Sequence, residues 1–359
     1  MKCLIYPCSN EIRHLIELIN NCDNELNIVK GVCPKIVRNQ ISDDFPCDVV
    51  TDFHKASEEI ECIIICDTIY RGNMYSDIVN KICISIENDK KVICCSEIND
   101  IDLDRIYRLK ESEKRFAYFG GCYKNYSKDA FIYEKQECIV IGIGKLFSKL
   151  DAKKEFCHLI RKFSDEGYKT IGVSLDKNSV LYGGFVIPDN VFKDNISSDL
   201  CVIYLNKFIN DIQQKCCPDI ILIEFPDGMM KFSDSIGDGY GIKPFLLSQA
   251  VNVDYFILDI PTGFIDPKRI ENVSKEISVR YGFDVDAIII NNSMIDYYLS
   301  IQYDEIEMFS STPEAVEDYK QQCMQEYSDC IYVYQDSADE VDVIVSSCIE
   351  ALSDNVEEL

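Results

Sequence analysis

Short apolar runs alternate along this chain with stretches in which apolar residues recur at every third or fourth position. The runs predict strands and the recurring stretches predict amphipathic helices. The first half reads as strand 2–7, helix 11–20 with Ile12, Leu15, Ile16 and Ile19 on one face, and strands 27–33, 48–51, 62–67 and 91–96, with helix 75–88 before the last. The second half reads as strand 138–144, helix 151–166 with Phe156, Leu159, Ile160 and Phe163 on one face, strand 170–174, helix 200–215 and strand 218–228. Strand 255–260, helix 267–281, strand 287–291, strand 305–309, helix 313–325, strand 331–334 and helix 341–352 complete it. Near-continuous apolar strands separated by helices indicate parallel sheets covered on both faces.

At 359 residues the chain exceeds what one core ordinarily supports. The expected architecture is α/β in two domains, a Rossmann-like parallel sheet over 1–100 followed by a P-loop NTPase-like parallel sheet over 137–359. Residues 101–136, charged and rich in tyrosine (Tyr107, Tyr118, Tyr123, Tyr126, Tyr133) around Gly120-Gly121, read as a connector. The first strand is followed by Tyr6-Pro7-Cys8 and not by Gly-x-Gly-x-x-Gly, which disfavours dinucleotide binding in the first domain.

A net charge of −26 opposes broad contact with nucleic acid or anionic membrane. No apolar run reaches the roughly 18 residues that cross a bilayer, and the first residues are too short for a signal-peptide core. A cytoplasmic protein with free thiols is the expectation, and the cysteines inside apolar runs (Cys62, Cys66, Cys94, Cys95, Cys138) read as small hydrophobes. The three histidines have no partner at ligand spacing, so no metal site is expected, and no Ser/His/Asp or Cys/His arrangement is visible.

Candidate chemistry centres on Gly142-Ile-Gly144-Lys-Leu-Phe-Ser148-Lys149-Leu150, an apolar run leading through glycines and a lysine into a helix. That is the layout of a phosphate-binding loop, where backbone N–H groups and the helix dipole attract the anion. Gly142, Gly144, Ser148 and Lys149 are the candidate phosphate-binding residues, with Lys145 as a second lysine inside the loop. Compared with the dethiobiotin-synthetase-like loop that it resembles, Ser148 replaces the last glycine and Leu150 replaces the threonine that holds Mg²⁺. Glu224 and Asp227, at the end of an apolar strand, stand where a metal-holding carboxylate belongs, and Asn291 where an asparagine contacts the base. ATP or GTP is the candidate nucleotide, with hydrolysis absent or very slow. The run Gly237-Asp-Gly-Tyr-Gly241 reads as a loop or a lid.

The ordered set Leu4-Ile-Tyr-Pro7, Ile141-Gly-Ile-Gly144 with Lys149, Gly167-Tyr-Lys169, Pro218-Asp-Ile-Ile-Leu-Ile-Glu-Phe-Pro226, Gly241 to Ala250 and Arg280-Tyr-Gly-Phe-Asp284 resembles the peptide maturation system proteins encoded beside radical-SAM maturases of cysteine-rich peptides. That resemblance implies an accessory role in maturing a ribosomally synthesised, modified peptide, with the precursor peptide and the radical-SAM maturase as partners. The alternative expectation is a nucleotide-dependent ligase, kinase or acyltransferase acting on the peptide or on a small acid.

Overall fold

Strand β4 (Cys62–Ile65) is buried along its whole length, with Cys62 and Ile64 in one apolar cluster and Ile63 and Ile65 in another. A strand packed on both faces has no polar side to alternate with, which is why its sequence is a continuous apolar run. The computed structural model describes residues 1–354 apart from 22–24, 36–37, 39–40, 43, 68–70, 121–132, 193–195 and 239. The chain groups into two units, Met1–Asn125 with Asp176–Pro188, and Tyr126–Leu175 with Asp189–Leu359.

In the first unit β1 (Lys2–Tyr6), α1 (Arg13–Asn21), β2 (Asn27–Val32), β3 (Asp48–Val50), α2 (Phe53–Ser57), β4, α3 (Arg71–Glu87) and β5 (Lys91–Cys94) follow one another. Then come α4 (Asp100–Tyr107), α5 (Ser112–Arg115) and β6 (Phe116–Tyr118). The strands pair in parallel in the order β3-β2-β1-β4-β5-β6, the doubly wound order of Rossmann-type sheets. Residues 101–118, expected to be connector, are instead part of this unit. Ile106 and Phe116 are buried in its core, and β6 pairs with β5. Gly121, Tyr123 and Tyr126 lie outside the described residues. Cys8, Cys33, Cys66 and Cys95 follow the ends of β1, β2, β4 and β5 and are buried together, none of them joined in a disulfide. Burial pushes the Cys95 thiol well up, and a hydrogen bond with Cys47 together with burial does the same for Cys8, so both stay protonated and inert. The short strand β9 (Phe185–Val186) belongs to the Asp176–Pro188 segment.

The second unit opens on β7 (Ile139–Lys145), α6 (Lys153–Asp165), β8 (Thr170–Ser174), α7 (Ser198–Cys216), β10 (Ile220–Gly228), α8 (Ile242–Ser248) and β11 (Tyr255–Pro261). It continues with α9 (Ile270–Tyr281), β12 (Ala287–Asn291), β13 (Ser293–Asp296), α10 (Tyr297–Tyr303), β14 (Glu307–Ser310), α11 (Pro313–Glu326), β15 (Ile331–Tyr334) and α12 (Ala338–Asp354). Its parallel strands run in the order β15-β12-β11-β7-β10-β8, so β7 is central. β13 and β14 form a separate antiparallel ribbon with α10 at its tip. Among the described residues no helix is long and apolar enough to cross a membrane.

Candidate functional site

β7 lies between β10 and β11, and the register of the three strands brings particular residues to one end. Gly142 is level with Ile223 and Phe256, and Lys145 is level with Gly228 and Asp259. The carboxyl ends of parallel strands are where such sheets bind ligands. There Lys145 and Glu224, both largely buried, form an ion pair at 3.6 Å. On the other flank Asp259 is fully buried, and Asn291 Nδ2 donates to its Oδ2 at 3.1 Å. Glu155 enters from the first turn of α6, and Gln335 Nε2 donates to its Oε2 at 3.2 Å.

Burial drives the ionisation of these acids. Desolvation, reinforced by the repulsion that would arise if the neighbouring Glu155 carboxyl ionised as well, holds Asp259 well above the usual carboxylate range, although Asn291 and Lys145 pull the other way. Desolvation likewise pushes Glu155 up to about 8. Glu155 is therefore mainly a neutral acid at pH 7 and Asp259 is displaced toward its neutral form, and Asp259 Oδ1 and Glu155 Oε1 have no hydrogen-bond partner. Sequence reading passed over both residues. The signal was nevertheless present: Asp259 interrupts the apolar run Tyr255-Phe-Ile-Leu-Asp-Ile260, and Glu155 shares the helical face of Leu159.

The loop between β7 and α6 departs from the expected phosphate cradle. Gly142 and Gly144 lie inside the strand and not in the turn. A Cβ on Gly142 would stand 2.7 Å from Phe256 Cδ2, and one on Gly144 2.6 Å from Phe256 Cζ, so close packing accounts for both glycines. The helix entrance is at Lys153 and not at Lys149, which corrects the expected position of the cap. Leu150 is buried, filling with methyl groups the place where a metal-binding hydroxyl was missed.

Three of the turn's N–H groups and the Ser148 hydroxyl have internal partners. Leu146 N donates to Asp259 O at 2.8 Å and Leu150 N to Phe147 O at 3.2 Å. Ser148 donates both its N–H, at 3.1 Å, and its hydroxyl to the carboxylate of Asp238. Asp238 belongs to the Gly237–Gly241 run and is buried. A carboxylate thus occupies the anion position of the turn. Gly228 allows this close approach, since a Cβ there would come within 2.8 Å of Ser148 N.

The remaining expected site residues are dispersed. Lys149 is exposed and pairs with Glu305. Asp227, at φ +56, pairs with Lys243 at 2.9 Å and does not join Glu224. Asn291 is engaged by Asp259 and by the backbone of Ser293. No group of His, Cys, Asp or Glu able to hold a metal ion occurs among the described residues. Beside the turn an open cleft of about 380 Å³ is lined by Phe147, Phe232, Phe264, Lys231, Arg269 and Glu276, among others. Phe232 and Phe264 stack at 5.5 Å, and Phe147 meets both edge-on. Because the Lys149 pair is exposed, Lys149→Ala is expected to leave the thermal midpoint unchanged within error. A clear loss of stability would show that the pair anchors the turn.

No family model and no curated protein matches the sequence. Among solved structures, a DUF1611 family protein from Anabaena variabilis matches over 96% of this chain and 99% of its own, at 11% identity and a TM-score of 0.59. An apo-form GTPase from Pyrococcus abyssi matches over 60% of this chain and 97% of its own, at 12% identity and a TM-score of 0.33. The first likeness establishes the two-sheet α/β fold and says nothing about activity.

Proposed function

We propose that this chain is an accessory protein of peptide maturation that acts by binding and does not turn over nucleotide. The observation that carries the proposal is the Asp238 carboxylate on the N–H and hydroxyl of Ser148. An incoming phosphate would have to displace a like charge from the donors it needs, the Leu150 position carries no hydroxyl for Mg²⁺, and the Ser148 hydroxyl is held by Asp238. The peptide-maturation context, with a precursor peptide and a radical-SAM maturase as partners, follows from the sequence resemblance. With ATP or GTP and Mg²⁺, the purified protein is expected to show no turnover above background. Asp238→Asn should raise affinity for inorganic phosphate or nucleotide by at least about tenfold, or roughly 1.4 kcal/mol. Steady turnover dependent on Lys145 or Lys149 would overturn this reading. Immobilised protein should also retain the precursor peptide or the maturase when either is supplied pure.

One observation favours the enzyme alternative, a ligase, kinase or acyltransferase. Asp259 and Glu155 are both pushed toward their neutral forms at the end of the strands beside the Lys145–Glu224 pair, and strongly perturbed acids gather at catalytic sites. The turnover measurement separates the two readings.

A further inference from the structure

The β13–α10–β14 excursion carries an unusual concentration of uncovered apolar side chains. Tyr298 is 86% exposed, Tyr303 61% and Phe309 51%, and Tyr297, Leu299 and Ile301 are also exposed. Scattered exposed hydrophobes are ordinary, but six within one short excursion are not, and such patches mark interaction sites. The excursion is well anchored. Ser300 is fully buried, its hydroxyl donates to Asp296 O, and it accepts from Glu307 N at 2.8 Å. The aromatic side chains are therefore presented on a fixed platform. The patch also continues into the cleft, because the Tyr297 ring meets Phe232 at 6.1 Å.

Charge identifies the partner. Residues 293–311 contain four acids, Asp296, Asp304, Glu305 and Glu307, and no lysine, arginine or histidine. Lys149 is already paired with Glu305, and Lys231, in the cleft, is paired with Asp234, which leaves Arg269 in the cleft. A second copy of this chain, itself at −26, would set acid against acid across the patch, and an anionic bilayer would be repelled.

We propose that this excursion is a docking surface for a basic amphipathic segment of another polypeptide. The partner's apolar face covers Tyr298, Tyr303 and Phe309, and its lysines or arginines meet Asp304 and Glu307, beside the Glu305–Lys149 pair. Tyrosine suits the role, since it supplies large contact area at little entropic cost. The inference deepens the accessory reading and rests on it, but its readout is peptide affinity and not turnover, so each can fail alone.

The probe is a synthetic leucine-lysine peptide of helical amphipathic pattern, compared with its scrambled form and with a leucine-glutamate counterpart. A chain this acidic attracts any polycation, so the deciding comparison keeps charge constant. Tyr298→Ser with Tyr303→Ser is expected to weaken binding of the patterned peptide at least about tenfold and to leave the scrambled peptide unaffected. Asp304→Asn should weaken binding and reduce its salt dependence. The substituted side chains are exposed, and an unchanged circular dichroism spectrum confirms folding. Equal binding of the patterned peptide by the parent and the double tyrosine variant overturns the proposal. So does equal binding of the leucine-glutamate peptide, or a dimer in sedimentation that the tyrosine changes dissolve.

Discussion

Glu155→Gln is expected to make the chain markedly more stable than the parent near pH 8.5 and to leave stability nearly unchanged near pH 5. In the folded protein the Glu155 carboxyl titrates at about 8, because burial penalises its charged form, against an ordinary value of 4.5. Between those two values the folded state holds a proton that the unfolded state has released. The contribution is therefore fully present below about pH 4.5 and is lost as pH rises through about 8. At about 1.4 kcal/mol per pH unit the loss is of the order of 5 kcal/mol, a large share of the stability of an ordinary domain. Asp259 is shifted in the same direction and steepens the decline. Glutamine has the shape of the neutral acid and can still accept from Gln335, so the variant has nothing to titrate. Denaturant midpoints across this pH range test the idea. Overall charge repulsion also grows with pH, but it acts on parent and variant alike, so the difference between them is the reading. Parallel curves would show that Glu155 is ionised and satisfied in the fold.

The sheet strands were legible in sequence because a strand buried on both faces leaves a near-continuous apolar run, unbroken in Cys62–Ile65 and interrupted only by Asp259 in Tyr255–Pro261. The same rule hid β13 and α10 of the excursion at Ser293–Ser310, of which only the strand expected over 305–309 was anticipated, as β14 (Glu307–Ser310). The excursion packs one side only, its strands are half-buried, and its helix spans only Tyr297–Tyr303, so no period becomes established. β6 was likewise too short and too polar in context to stand out from a charged segment. For the site, the strand carrying Lys145 and the acids at strand ends could be placed from local pattern. Which acid faces Lys145 depends on register between strands distant in sequence, and the partner of Ser148 lies 90 residues away. Glycine was the most misleading signal. After an apolar run it reads as a turn, but the reason for Gly142 and Gly144 is the ring of Phe256 on the adjacent strand.

Gly142 also provides the sharpest test of what the loop region is for. In a phosphate cradle, alanine at this position would disturb ligand affinity and do little to the free protein. In the arrangement found here it would disrupt the core. The new Cβ meets Phe256 Cδ2 at 2.7 Å and Phe225 Cε2 at 3.0 Å. Neither ring has room to retreat, since Phe225, Phe256 and Phe283 interlock with centroids 5.5, 5.6 and 4.4 Å apart and the first two are fully buried. Gly142→Ala is expected to cost about 1–3 kcal/mol and Gly142→Val more, even though valine is the better strand former by up to about 1 kcal/mol. Packing therefore outweighs propensity. Combining Gly142→Ala with Phe256→Leu should recover part of the loss, because the smaller side chain vacates the space that the methyl needs, and two residues in contact do not add. Urea midpoints of the two single variants and the double variant give the coupling directly. A Gly142→Ala protein as stable as the parent, but with weakened phosphate binding, would return Gly142 to the phosphate site.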